Sequence, residues 1–124
     1  VATGSPFDPV MVGGTSRTIS QANNVYIFPG VGLAAIAGRL KSIPDEAFTV
    51  AAKTLAALTA KSAPAGGALY PPLADLRSIS RAIAIAVIEA GAAAGWASAA
   101  DGARAADLVD GAMWNPNYRA YVPA

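Results

Sequence analysis

This sequence has neither cysteine nor histidine among its 124 residues. Without cysteine there is no disulfide, no thiol nucleophile and no thiolate metal site, and the absence says nothing about compartment. Without histidine, the commonest general acid–base group and the commonest metal ligand are both missing. Ser5 follows a glycine, but no imidazole is available to activate it, so nucleophilic hydrolysis has no support. Charge is also scarce. Only 14% of residues are charged and the net charge is +1, which gives no electrostatic ground for nucleic acid or an anionic membrane as a partner. A secretory leader is not expected, because Val1-Ala2-Thr3-Gly4 has neither a basic start nor an apolar core. The chain lacks an initiating methionine and opens inside what reads as a strand end, which predicts a piece of a longer protein.

What is present is apolar. Hydrophobic residues make up 54% of the chain, much of it alanine, and the length suits one ordinary domain with its own core. The stretch from Ala82 to Ala100 imitates a membrane span. Its strong contributors are Ile83, Ile85, Val87, Ile88 and Trp96, and Glu89 roughly cancels them, so it reads as a buried helix of a soluble domain. No internal repeat or composition break marks a second domain.

Residues 1–4 read as the end of a strand, stopped by Gly4 and Pro6. Val10-Met11-Val12 and Ser16 to Ile19 flank Gly13-Gly14, which predicts a hairpin. From about Val25 to Leu40 the spacing is helical, with Phe28, Val31, Ala35 and Leu40 along one side. Pro29 is tolerated only in a first turn, so the regular helix either starts near it or begins distorted. Gly30, Gly32 and Gly38 weaken that helix and allow close backbone approach. Ser42-Ile43-Pro44-Asp45-Glu46 starts a second helix with an inward stripe of Phe48, Ala51, Ala52, Leu55 and Leu58. A loop is expected from Ser62 to Gly67. Pro71-Pro72 precedes a third helix from about Leu73 to Gly95, with Leu73, Leu76, Ile79 and Ile83 inward. Ala82 to Ala94 is apolar all round, so either a tight Ala-rich local core or other domains or subunits must cover it. Asp101 to Met113 predicts a short final helix, and Pro116 to Ala124 an irregular tail.

Few residues can carry chemistry. Asp45/Glu46 and Asp107/Asp110 are the close acidic pairs, and both read as solvated helix residues rather than metal ligands. Gly30-Val31-Gly32 has the spacing of half a phosphate-binding turn. No strong strand precedes it and no acidic residue follows about twenty positions later, so it is rejected. Tyr26, Tyr70, Tyr118 and Tyr121 each have a packing or tail reading, and Lys41, Lys53 and Lys61 read as surface residues. Asn23-Asn24 stands out. Two carboxamides directly before an apolar run either cap a helix or grip a small anion, and the cap is the commoner use.

Three segments in order change that balance: Thr3-Gly4-Ser5-Pro6-Phe7, then Gln21 to Gly30 with Val31-Gly32-Leu33, then Leu69-Tyr70-Pro71-Pro72-Leu73-Ala74-Asp75-Leu76. Together they resemble the C-terminal end of malic enzymes, the malate-oxidising, decarboxylating dehydrogenases. The tail Met113-Trp114-Asn115-Pro116-Asn117-Tyr118-Arg119 is similar to that family's closing segment. Many malic enzymes carry glycines where this chain has Ser20 and Ala22, and Ala22 is similar to the malolactic branch.

The resemblance implies the C-terminal part of a Rossmann-like, NAD- or NADP-binding domain over residues 1–124, mainly α with a terminal strand and a small hairpin. It implies malate oxidised and decarboxylated to pyruvate with Mg²⁺ or Mn²⁺, by a cytoplasmic enzyme that is a homo-oligomer. It implies that Asn23 and Asn24 are joint candidates for binding malate. It also implies, more weakly, that Gly4 and Ser5 shape the nicotinamide side of the cofactor site. The family's acid/base pair, metal carboxylates and dinucleotide loop have no counterpart here, so no catalytic or metal residue is assigned and this piece alone is expected to be inactive. Two alternatives stay open: a malolactic parent that forms lactate, and a free-standing Ala-rich interaction module without catalysis.

Overall fold

The computed structural model describes residues 1–62, 67–98 and 104–117. Strand β1 (Ala2–Thr3) is followed by the hairpin of β2 (Val10–Val12) and β3 (Thr15–Arg17), and then by β4 (Ser20–Gln21). The hairpin turn places Gly13 at φ 58° and Gly14 at φ 78°. A two-residue turn with positive φ at both centres suits glycine and matches the strand twist. Val12 therefore pairs with Thr15, so β3 starts one residue earlier than Ser16 and leaves Ile19 outside the ladder. β4 instead runs parallel to β1, pairing Ala2 with Ser20 and Thr3 with Gln21.

Residues Asn24–Tyr26 form a 3₁₀ turn that leads into α1 (Phe28–Ala37), with Pro29 in its first turn. There the missing N–H removes no helical hydrogen bond, which resolves the difficulty with Pro29. α1 stops at Ala37, three residues short of Leu40, because Arg39 takes a left-handed φ of 47°. Leu40 then bridges to Ala97. α2 (Asp45–Ser62) carries Asp45 and Glu46 in its first turn and Lys61 in its last, each favourable to the helix dipole. A second 3₁₀ turn, Leu73–Asp75, precedes α3 (Leu76–Ala94), which ends at Gly95 in the left-handed region at φ 83°. α4 spans Ala105–Ala112, so the final helix starts later than Asp101; residues 101–103 lie outside the described residues, as do parts of the expected loop and tail.

The core gathers on α3. Its Ile79, Ile83, Ala84, Val87 and Ile88 meet Val31 and Ala34 of α1, Ala47, Ala51 and Leu55 of α2, and Val109 of α4. The inward faces match the expected ones at Val31, Ala51, Leu55, Ile79 and Ile83 and differ at the large residues of the rim. On α1 the buried side is Gly30, Val31, Ala34 and Gly38, while Phe28 is 56% exposed. A Cβ at Gly30 would sit 2.7 Å from Ile83 Cβ, and one at Gly38 would sit 2.7 Å from Ile88 Cγ1. The contact is thus made by small residues that let two backbones approach. A reading that ranks positions by hydrophobic bulk selects the wrong stripe. On α2 the stripe is Ala47, Ala51 and Leu55, with Phe48 and Ala52 exposed. Phe48 instead meets Phe28 edge-on, with ring centroids 5.9 Å apart. Leu73 is also exposed, because the 3₁₀ turn rotates it off the inner face of α3.

The segment Ala82–Ala94 is covered on one side by this chain's own core. Its large side chains face this core, and its outer side is alanine with exposed Glu89. Exposed large apolar groups among the described residues include Val10, Met11 and Val12 on the hairpin, Phe28 and Ile36 on α1, and Phe7, Leu69 and Trp114 outside both. Among the described residues no helix is long and apolar enough to cross a membrane.

α3 and α4 are also joined by a bidentate ion pair, with Arg81 Nε and Nη2 donating to Asp110 at 2.6 and 2.7 Å. The hydrogen bond from Arg81 holds the Asp110 carboxyl below its ordinary pKa. A depressed carboxylate pKa adds stability above the usual carboxylate range and loses it as pH falls through that range and below. Urea unfolding of wild type and Asp110→Asn should therefore differ at neutral pH by a small, salt-sensitive margin and converge as pH falls through the carboxylate range and below it. A gap that persisted in acid would contradict this pairing.

Candidate functional site

The parallel strands β1 and β4 point the same way, so their carboxyl ends lie side by side. Ala22 N donates to Thr3 O at 2.7 Å, Gln21 Nε2 donates to Gly4 O at 3.3 Å, and Thr3 Oγ1 donates to Ser5 O at 2.7 Å. These bonds bring Gly4-Ser5 and Ala22-Asn23-Asn24 to one edge. Ligands of open α/β sheets sit at the carboxyl ends of parallel strands. A Cβ at Gly4 would meet nothing within 4 Å, so close packing does not require glycine there.

The two asparagines differ. Asn23 is extended, at φ −138° and ψ 140°, and its side-chain oxygen accepts from Val25 N at 2.9 Å. It caps the 3₁₀ turn. Asn24 is the first residue of that turn and is exposed, and its carboxamide has no hydrogen-bond partner among the described residues. Its backbone carbonyl accepts from Ile27 N at 3.0 Å, and Ile27 O accepts from Val31 N at 3.1 Å, so the turn runs directly into α1. Both asparagines line an open cleft of about 660 Å³ whose apolar wall includes Ile27, Leu55 and Leu69.

Behind the pair, Tyr26 is 2% exposed, and its hydroxyl donates to Pro71 O at 2.6 Å. Its ring stacks on Tyr70 at a centroid separation of 5.3 Å. Burial, with smaller contributions from Asp75 and Tyr70, pushes the phenol pKa up, so the group stays protonated and keeps donating. On the other side of the asparagines, the buried Ser20 Oγ accepts from Leu69 N at 2.7 Å. A packing role for Tyr26 was legible in the sequence, and this tie to Pro71 was not. The available signal was a phenol inside an apolar run, since a buried tyrosine hydroxyl usually finds a partner.

Other candidates do not join the site. Gly30-Val31-Gly32 lies inside α1, with Gly30 against Ile83, so it is not a phosphate turn. Lys41 Nζ donates to Gly95 O at 3.2 Å. A Mg²⁺ or Mn²⁺ ion wants several converging oxygens. Among the described residues no three acidic, histidine or cysteine side chains converge, so these residues do not fit such an ion. A second cavity, of about 470 Å³, holds Arg77, Arg81, Asp75 and Asp110, whose formal charges cancel. Tyr118 and Tyr121 lie outside the described residues.

Residues 1–92 match the family model described as "Malic enzyme, NAD binding domain". The chain is 41% identical over 121 residues to the NAD-dependent malic enzyme of Pseudomonas aeruginosa, and 40% identical to those of Vibrio campbellii and Vibrio parahaemolyticus. Each match covers 98% of this chain and 22% of the relative. The chain thus spans about a fifth of the length of these relatives.

Proposed function

The chain belongs to the malic enzyme family, and from that premise we propose that it forms the substrate-facing end of the NAD-binding domain in a longer enzyme that oxidises and decarboxylates malate to pyruvate. The observation that carries this reading is the unengaged carboxamide of Asn24, exposed on a cleft at the joined carboxyl ends of two parallel strands. We assign malate contact to Asn24 and capping to Asn23, whose side-chain oxygen is already bonded to Val25 N. A carboxamide N–H donates to a carboxylate oxygen, and the other end of the group can accept from the substrate hydroxyl. The start of α1 adds a positive dipole end close by in the chain.

Among the described residues the cleft lining includes no cationic side chain. Neutralising a dicarboxylate therefore falls to other parts of the parent, as do the acid/base pair and the Mg²⁺ or Mn²⁺ site. Gly4 and Ser5, on the adjoining strand end, are assigned to the nicotinamide side. NAD is favoured over NADP because the matched relatives are named NAD-dependent. The same names favour the pyruvate-forming branch over the malolactic one, and a catalytic parent over an interaction module. The parent is a cytoplasmic homo-oligomer in this reading.

The isolated 124-residue chain should not turn over malate, even with NAD and Mn²⁺ present, whereas the longer enzyme that carries it should. Absorbance of reduced nicotinamide reads both. Steady turnover by the isolated chain above a blank would overturn this account.

A further inference from the structure

Two buried hydroxyl groups bracket the Asn pair in sequence, Ser20 three residues before Asn23 and Tyr26 two residues after Asn24, and both reach the same short segment, Leu69 to Pro71. We propose that Ser20 and Tyr26 form a clasp that positions Asn24 for malate. They are positioning residues rather than catalytic ones. The inference rests on the assignment of Asn24 to malate.

The physical need for a clasp is local. Asn24 sits in a turn of three residues, and a 3₁₀ turn that short has poor hydrogen-bond geometry and little stability of its own. Asn23 and Asn24 are both exposed, so burial of their own side chains does not hold them. The anchor, by contrast, is stiff. Pro71 is buried and is followed by Pro72, which fixes one backbone angle at each residue and restricts Pro71 further. Tyr26 Oη reaches the Pro71 carbonyl at 2.6 Å while the ring stacks on Tyr70, so the side chain is fixed along its length. Ser20 Oγ, 6% exposed as a residue, takes the Leu69 N–H at 2.7 Å and holds the other side of the loop. Neither hydroxyl is left for substrate. The Tyr26 proton is used on Pro71, and Ser20 does not line the cleft. A displacement of about 1 Å in a positioning group can lower a rate on the order of a hundredfold.

The test uses the longer enzyme that carries this chain, with Tyr26→Phe, Asn24→Ala and the double variant compared with wild type. Tyr26→Phe keeps the ring and its stacking and removes only the proton donor. It should raise the KM for malate about tenfold, the scale of one hydrogen bond to a charged ligand, and leave the KM for NAD within about twofold. The double variant should be little worse than Asn24→Ala, because the clasp acts through Asn24. Wild-type malate kinetics in Tyr26→Phe beside an impaired Asn24→Ala would overturn the clasp and spare the Asn24 assignment. So would a Tyr26→Phe effect that is undiminished in the Asn24→Ala background, or an equal rise in the KM for NAD. Normal malate kinetics in Asn24→Ala would overturn that assignment and the clasp with it. If Tyr26→Phe does not fold, Ser20→Ala and Ser20→Thr replace it. A raised malate KM in Ser20→Ala that Ser20→Thr restores supports the clasp, and an unchanged Ser20→Ala overturns it.

Discussion

Asn24→Asp in the longer enzyme should lower kcat/KM for malate by more than Asn24→Ala does, and Asn24→Ala itself should lower it about ten- to a hundredfold. A hydrogen bond to a charged group contributes roughly 1.5–3 kcal/mol, which gives the alanine figure. Aspartate adds a repulsion. Its carboxylate would face a substrate carboxylate across a few ångströms beside an apolar wall, where like charges interact more strongly than in bulk water. The KM for NAD should change little, because the lost interaction belongs to malate. Asn23 provides the internal control. Its oxygen accepts from Val25 N, and aspartate caps such a turn about as well as asparagine, so Asn23→Asp should keep near-normal malate kinetics and melting temperature. The contrast between neighbours is the informative result. If both Asp variants keep near-normal malate kinetics, the pair serves only the turn.

The second large effect is on stability, and its sign departs from helix propensity. Glycine to alanine in a helix interior ordinarily stabilises by up to about 1 kcal/mol. Gly32→Ala should do so, since a Cβ there meets nothing within 4 Å. Gly30→Ala, two residues away in the same helix, should instead destabilise by about 1–3 kcal/mol, the usual scale of overpacking. Its Cβ would lie 2.7 Å from both Cβ and Cγ2 of Ile83 and 3.1 Å from the Ser80 carbonyl. Ile83 is buried and β-branched, so it has little rotamer freedom with which to yield. Urea unfolding of the two variants reads the signs directly. A stabilising Gly30→Ala would mean that α1 and α3 do not approach this closely.

The sequence made some of this legible and concealed the rest for identifiable reasons. Local signals worked where one residue type fixes one backbone geometry. Gly13-Gly14 gave the hairpin, Pro29 the first turn of α1, and Asp45-Glu46 the start of α2. Packing faces were harder. α1 packs through Gly30, Ala34 and Gly38, and a small residue at a helix crossing carries no hydrophobic signal of its own. Phe28 and Phe48 drew the stripes the wrong way, because an aromatic at the rim looks in sequence like one in the core. The parallel pairing of β1 with β4 spans the whole hairpin and rests on two residues a side, too few to show a period. At the site, the type and position of Asn23 and Asn24 were readable, but their division of labour was not. The division proposed here rests on which carboxamide is already bonded, a fact of geometry. The clasp was invisible for a similar reason, since Tyr26 and Pro71 are 45 residues apart.

The most direct test of the central claim is a crystal structure of the longer enzyme with malate and NAD bound, read at one distance. The account predicts a nitrogen or oxygen of the Asn24 side chain within about 2.7–3.2 Å of a malate oxygen, with Asn23 still accepting from Val25 N. Malate bound elsewhere, or bound beside Asn23 while Asn24 faces away, would contradict it.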